Sequence, residues 1–546
     1  MELLVTVASL LIALYAVIPR ERQMELHFRT GLIEWCAVLF GFILILYLEY
    51  YALCVAHGWA PDPAKWPHGL TPNNLKPLFV VFLAVFLAFR VRLARLSRRR
   101  IGKFAELCQE LNWRDLHPEL LALLERNSKE FFRIYRADYK LPVLRRRLAS
   151  RVLPTFEDTI LRMDALRTTG TEAPRTFADR IPDQIARQLI RLLPTYASEQ
   201  KVAAELVERV LMVPRFIEAL ANVRPYLGVA IIRELPGRFD KQEFLSDYVA
   251  ALMANPASIF YWEIEKSQNL AYAFPESNRF LHNLVRDAKV AQDLEIWRPV
   301  GEFAVRDLDH RASDPAGDRY NQAVGWFEKG DAWRSPVCAT IRFFDIMVRA
   351  ALSQGIEWHM WLYYFPPIVA RMVRNYTPCG PLIEPDRESP TPYNVLIDEA
   401  VSKLREWVEA AEKVPQNQPN VVLHSTRADH ENENIPKSCI IALGECSRHV
   451  LLSEKLSEKF KDSVMNGTFE LYFTLRLSAK LSQYGEVLAS SLRHGGLASQ
   501  TSIPTYLTNL QDSFARLRHE YEITRQPQHV TDLASLLGVR VGGAVR

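Results

Sequence analysis

The chain has 546 residues, more than one ordinary hydrophobic core holds, so its length predicts roughly two to four structural units. Apolar residues make up 49% and charged residues 24%, which is typical of a folded chain and excludes disordered and collagen-like classes. Glycine is scarce at 22 residues, which argues against a glycine-lined nucleotide fold. The net charge is +4, and seven basic residues lie between positions 90 and 103. These seven residues outnumber the net excess of basic over acidic side chains, so the rest of the chain is not basic. We therefore expect no nucleic acid as a partner.

Three apolar runs occupy the first hundred residues, at 3–18, 32–56 and 77–89. A helix over residues 32–56 would be about 37 Å long, enough to cross a hydrocarbon layer of about 30 Å. The first run follows Glu2 and precedes Arg20 and Arg22, so we interpret it as an uncleaved anchor and not as a signal peptide. The sequence therefore predicts a membrane domain over residues 1–104 with three transmembrane helices.

The distribution of basic residues predicts the orientation in the membrane. The loop after the first run carries Arg20, Arg22 and Arg29, whereas residues 57–74 carry only Lys65. The third run is followed by a basic block, namely Arg90, Arg92, Arg95, Arg98, Arg99, Arg100 and Lys103. The positive-inside rule then places the N-terminus outside and everything beyond about residue 90 in the cytosol. We expect a multi-pass protein of a bacterial inner membrane, whose basic block contacts anionic lipid headgroups.

Polar and aromatic residues mark the ends of the middle run. Interfacial aromatic anchors are expected at Trp35, Tyr47, Tyr50, Tyr51, Trp59 and Trp66. Glu34 and Glu49 lie within about a turn of the predicted boundaries. They are candidates either for interface-facing carboxylates or, in an oligomer, for pore-lining ones. The seven scattered cysteines contain no C-x-x-C pair, which predicts reduced thiols in a cytosolic compartment.

Beyond residue 104 the apolar residues recur with the helical period, and strand signals are sparse. Pro182, Pro194, Pro214, Pro225 and Pro236 punctuate a series of short helices. Further helical segments are predicted at 198–213, 241–255, 280–290, 297–308, 338–353, 396–412, 438–464, 469–492 and 506–521. The fold class is therefore all-α: transmembrane helices followed by a large irregular helical array or bundle, with a solenoid as the alternative. Proline-rich residues 376–393 suggest a cytosolic helical domain at 105–385 and a C-terminal one at 390–546.

Motifs for phosphate-binding loops, Rossmann sites and nucleophile elbows are missing from the sequence, and we expect no cofactor. A weak metal-ligand set consists of His424, His430, Cys439, Cys446 and His449, but its spacing fits no compact zinc site. Asp345 and Arg349, at i and i+4, predict a surface ion pair. The densest aromatic patch is a candidate interface, ligand pocket or packed core, and comprises Trp358, His359, Trp361, Tyr363, Tyr364 and Phe365.

These observations favour a non-enzymatic, membrane-anchored scaffold or sensor whose cytosolic helices bind a protein partner or a second copy. Two alternatives stay open at this point. One is an oligomeric channel or membrane-active effector gated by the cytosolic portion, and the other is a membrane-tethered enzyme without a recognisable motif.

Overall fold

The computed structural model of the chain is all-helical, and no strand occurs in the part of the chain that it describes. That part comprises residues 32–60, 71–93, 96, 98–137, 144–145, 148–149, 182–193, 198–235, 237–269, 275–315, 317–328, 330–356, 361–380, 383, 387–415, 418–423, 434–497 and 503–539. The predicted all-α class and the large helical array are thus confirmed. The apolar run at 3–18, Trp66, Trp358, His359, His424 and His430 lie outside the described residues.

The chain divides into two compact units, residues 1–219 and 220–546. The predicted boundaries near residues 104 and 385 stay predictions. The helices up to that division are α1 (Leu32–Glu49), α2 (Tyr51–Ala56), α3 (Pro72–Leu93), α4 (Ile101–Trp113), α5 (His117–Tyr135), α6 (Asp183–Leu192), α7 (Ser198–Leu206) and, across it, α8 (Pro214–Val223). A π-helical turn, Val207–Leu211, follows α7.

The second unit continues the helical series. Its helices are α9 (Pro225–Glu234), α10 (Arg238–Ala254), α11 (Ile259–Asn269), α12 (Arg279–Leu284), α13 (Ala288–Leu294), α14 (Trp297–Arg311), α15 (Gly325–Glu328), α16 (Pro336–Gln354), α17 (Phe365–Asn375), α18 (Pro392–Ala410), α19 (Ile435–Leu451), α20 (Glu458–Leu477), α21 (Ser482–His494), α22 (Pro504–Thr524) and α23 (Pro527–Leu537).

In the first unit, α4, α5 and α7 pack together around buried aromatic side chains. The rings of Phe104 and Phe131 lie 6.1 Å apart, and Phe131 meets Phe132 edge-on at 5.0 Å. The side-chain amide of Gln200 in α7 donates to the carbonyl oxygen of Tyr135 at 2.9 Å, so this carbonyl at the C-terminal end of α5 has a hydrogen-bond partner. This small bundle follows the basic block directly.

The second unit is centred on α18 and α19, which pack against each other and against α17. Helices α16 and α20 add to α18, and α21 adds to α19. Helix α19 approaches α21 closely at Gly444, where an added Cβ would lie 2.8 Å from the backbone oxygen of Ser491 and 2.9 Å from the backbone nitrogen of Gly496. A residue without a side chain is therefore required for this helix contact.

Most predicted helices of the array occur, but several have different limits because a polar side chain starts a new helix inside the apolar pattern. The segment 280–290 is divided between α12 and α13, since the Asp287 carboxylate accepts from the backbone nitrogens of Lys289 and Val290. The segment 438–464 is divided between α19 and α20, where the Ser457 hydroxyl accepts from the Phe460 nitrogen. Such side-chain caps satisfy the first amides of a helix and fix its start.

One further predicted helix was wrong in its extent. The segment 469–492 ends as a helix at Leu477 and begins again at Ser482, within α20 and α21. Beyond residue 526, where the sequence pattern predicts no element, Pro527–Leu537 forms α23 and buries Val530, Leu533 and Leu537. The tertiary contacts of α23 with α21 and α22 supply the stability that its short pattern did not indicate.

Candidate functional site

Helices α1 and α3 form an antiparallel hairpin, which we call the apolar hairpin. Three contacts set its register. The Lys76 ammonium lies 2.6 Å from a Glu49 carboxylate oxygen at one end. An added Cβ at Gly41 would meet the Leu83 side chain at 2.6 Å, so the helices approach closely near the middle. Arg100, just beyond α3, pairs with Glu34 at 3.6 Å at the other end.

The outer surface of the apolar hairpin is strongly apolar. On α3 the exposed residues Leu78, Val81, Phe82 and Val85 follow at three- and four-residue steps and are 61–64% exposed. On α1 the exposed residues are Trp35, Val38, Leu39, Phe40, Phe42, Ile43 and Tyr47, of which Phe40 reaches 63%. Large contiguous apolar patches are rare on proteins that face only water and mark a contact with a partner or a membrane.

The width of the exposed apolar face of α1 helps to distinguish contact with a protein from contact with a membrane. At about 100° per residue, the exposed apolar side chains of α1 span about 200° of the helix circumference. A helix that lies against a protein surface usually presents an apolar stripe of about 100°. The exposed face of α1 is therefore broader than a single protein groove would cover.

The two predicted carboxylates of the middle run are both in ion pairs. Glu34 is buried, with 3% of its surface exposed, and faces Arg100. Glu49 is half-buried and receives the Lys76 ammonium, which also donates to the Asn73 side chain at 3.3 Å. Each carboxylate thus sits at one end of the hairpin with a cation beside it. The interface and pore roles of these two carboxylates both stay predictions.

The basic block lies at the Glu34 end of the hairpin. Arg98 and Lys103 are exposed there, and Arg100 is half-buried against Glu34. The side chains of Arg90, Arg92, Arg95 and Arg99 are outside the part that the structure describes. The described cations and the exposed indole of Trp35 therefore share one end of the hairpin, which is where headgroup contacts are predicted.

The predicted aromatic anchors have different environments. Trp59 is 75% exposed, and Tyr50 and Tyr47 are also exposed near the Glu49 end. Tyr51 is buried instead, with its ring edge-on to Tyr47 at 5.7 Å. Within the described residues, no helix combines the length and the uncharged apolar composition needed to cross a membrane.

The aromatic patch at residues 361–365 is divided between core and surface. Phe365 is fully buried and meets Trp407 edge-on at 5.1 Å. Tyr364 stacks on Phe344 at 6.1 Å and covers Gly301, where an added Cβ would lie 2.5 Å from its ring. Among the described side chains of residues 361–365, Tyr363 is the exposed one, at 51%. The side chain of Trp361 is outside the part of the chain that the structure describes.

Of the described members of the His/Cys set, the two cysteines are packed in the core and His449 is half-buried. Cys439 and Cys446 are fully buried, and burial raises the pKa of both thiols well above its usual value. Burial, together with the nearby Arg448, lowers the pKa of His449. In the described ranges, no group of three or more His, Cys, Asp or Glu is arranged to hold a metal ion.

Sequence reasoning missed a ladder of charges between α16 and α18. Asp345 was predicted in a surface ion pair with Arg349; the pair forms, at 2.7 Å, but Asp345 is fully buried. Its carboxylate also accepts from the Trp407 indole nitrogen at 2.7 Å and faces the Lys403 ammonium at 3.4 Å. No spacing rule within one helix could indicate these partners, because they lie on α18.

The ladder continues on both sides of Asp345. Glu406 accepts from Arg349 at 2.8 Å and from Lys403 at 2.7 Å, and Arg342 pairs with Glu399 one turn earlier. Burial raises the pKa of Glu399 above its usual value of 4.5 in spite of the neighbouring Arg342 and Lys403. Acids and bases alternate along the ladder, which makes it suited to fixing the register of the two helices.

Comparison of the chain with protein-family models, with curated proteins and with solved structures finds no match in any of the three.

Proposed function

We propose that this chain is a multi-pass inner-membrane protein whose apolar hairpin lies in the lipid bilayer and whose second unit is a cytosolic helical scaffold or sensor for a partner. The observation that carries the proposal is the exposed apolar surface of α1 and α3. Eleven large apolar side chains face outward on these two helices. At about 1 kcal/mol for each of these roughly half-exposed side chains removed from water, lipid contact would contribute on the order of 10 kcal/mol.

A lipid environment accounts for more of this surface than a protein groove does. The exposed face of α1 covers about 200° of its circumference, and lipid can solvate the whole of such a face. The exposed cations Arg98 and Lys103 support the orientation in which this end of the hairpin meets anionic headgroups on the cytosolic side. The N-terminus then faces outside, and the second unit is in the cytosol.

Flotation of the full chain with phosphatidylcholine–phosphatidylglycerol vesicles tests the membrane part of the proposal. We expect the wild-type chain to float with the vesicles and to resist carbonate extraction, whereas Phe40→Glu combined with Phe82→Glu should reduce the floating fraction several-fold. Ile523→Glu is the matched control, because Ile523 is 72% exposed but lies on α22 of the second unit. A wild-type chain that stays in the carbonate supernatant would contradict the proposal.

The partner of the second unit requires a separate test. Tyr363 is exposed beside the half-buried Tyr364 and the buried Phe365, so a partner can reach it. Cross-linking in membranes followed by purification should return a partner, or a second copy, in fixed stoichiometry. Tyr363→Ala should weaken that recovery, and recovery of the chain alone would count against a scaffold.

A further inference from the structure

The spacing of charges along the apolar hairpin specifies a thickness for the bilayer it contacts. Glu34 and Glu49 are fifteen positions apart on α1, a distance of about 22 Å along the helix axis. Both carboxylates are paired with cations from the α3 side, so the two ion pairs bound the same apolar band. On α3 the uncharged stretch, residues 77–89, is about 20 Å long.

Aromatic side chains mark the same limits independently of the charges. Trp35 is exposed next to Glu34, and Tyr47, Tyr50 and Trp59 are exposed near Glu49. Rings with a polar edge and an apolar body are enriched where hydrocarbon meets headgroups. Trp35 and Tyr47 on α1, and Tyr50 directly after it, therefore place the two interfaces close to the two ion pairs, whereas Trp59 lies ten positions beyond Glu49.

A typical hydrocarbon layer is about 30 Å thick, which exceeds the apolar band by about 8 Å. A hydrophobic stretch that is too short is accommodated by local thinning of the bilayer or by side chains that reach toward the interface. Side chains at the Glu49 end have little freedom to reach toward the interface, because Lys76 already contacts both Glu49 and Asn73. At this end of the hairpin we therefore expect local thinning of the bilayer.

From this mismatch we infer that the apolar hairpin selects thin bilayers, that is, phospholipids with short acyl chains, and that the Glu49–Lys76 pair sets the limit. The inference rests on the proposed function, since it requires the hairpin to contact lipid. Mismatch costs a fraction of a kcal/mol per Å, so a difference of several Å corresponds to about a tenfold preference.

A competition between vesicles tests the inference with the full chain. The chain is synthesised in a cell-free system that contains equal amounts of phosphatidylcholine vesicles with fourteen-carbon and twenty-two-carbon monounsaturated chains. The two populations carry different internal densities and are separated by flotation. We expect about ten times more protein in the fourteen-carbon vesicles.

Variants then test the role of the ion pair. Glu49→Leu with Lys76→Leu extends the uncharged stretch from α1 through α2 to Ala56, so the preference should move toward the longer chains. Lys289→Leu with Asp293→Leu is the matched control, because it removes a similar pair, 3.4 Å apart, from α13 of the second unit. Circular dichroism verifies that each variant retains its helix content.

The outcomes separate this inference from the proposed function. Equal distribution of the wild-type chain, or a preference for the longer chains, refutes the thickness selection while leaving membrane contact intact. An unchanged preference in the Glu49–Lys76 double variant refutes the role of the pair. Failure to float with either population, with a stable oligomer in the supernatant, assigns the apolar surface to a second copy and refutes both proposals.

Discussion

Removal of the charge at Asp345 is expected to be the most damaging single change in the second unit that leaves side-chain volume unchanged. The Asp345 carboxylate is fully buried and interacts with three groups: the Arg349 guanidinium, the Trp407 indole N–H and the Lys403 ammonium. Asp345→Asn keeps an oxygen that can accept from Trp407 but leaves two cations facing a neutral amide. Breaking a buried ion pair from one side costs about 3–5 kcal/mol. Because Glu406 still pairs with both cations, we expect the lower end, about 3 kcal/mol.

Asp309→Asn is the matched control for this prediction. Asp309 also contacts two cations, Arg371 at 2.9 Å and Arg374 at 2.8 Å, but its side chain is 44% exposed. Exposed ion pairs contribute about 0–1 kcal/mol. The same chemical change should therefore have a much smaller effect there.

Urea denaturation followed by circular dichroism measures the difference. Since the chain has more than one unit, the midpoint of the transition is a better quantity to compare than an extrapolated free energy. We expect the midpoint shift for Asp345→Asn to be at least three times that for Asp309→Asn. Equal shifts would show that burial of the α16–α18 ladder does not determine its energetic importance.

Three further predictions concern the core of the second unit. Gly444→Ala should destabilise the α19–α21 contact by about 1–3 kcal/mol, because the added methyl group overpacks it. Gly102→Ala is the control, and it should be neutral or slightly stabilising because the space around Gly102 is open. The midpoints of urea denaturation compare the two variants. Burial raises the pKa of Glu399, so its contribution to stability is present below pH 4.5 and is lost as the pH rises through the raised pKa. The stability of Glu399→Gln relative to wild type should thus increase with pH, by at most about 1.4 kcal/mol per unit, and a flat difference would contradict the burial argument. Mass spectrometry after iodoacetamide treatment of the native chain should find Cys379 alkylated well before Cys439, and equal rates would mean that the α19 core opens readily.

The sequence was sufficient for the features that depend on local pattern. The helical period and the positions of Pro214 and Pro225 predict helices because each element buries one face and begins where an N–H is not needed. The apolar runs near residues 32–56 and 77–89 were evident from their composition, and they lie in α1, α2 and α3. Whether they cross a membrane remains a prediction.

Only the tertiary structure decided which of these residues meet. It pairs Glu34 with Arg100 and Glu49 with Lys76, it buries Asp345 beneath Trp407, and it gives Gly444 its role in a close helix contact. Each of these contacts joins residues that are 27 or more positions apart, and a helical period carries no information about the neighbour on another helix. The physical reason is that burial and pairing depend on the distance between helices, whereas the sequence pattern records only which face of each helix is apolar.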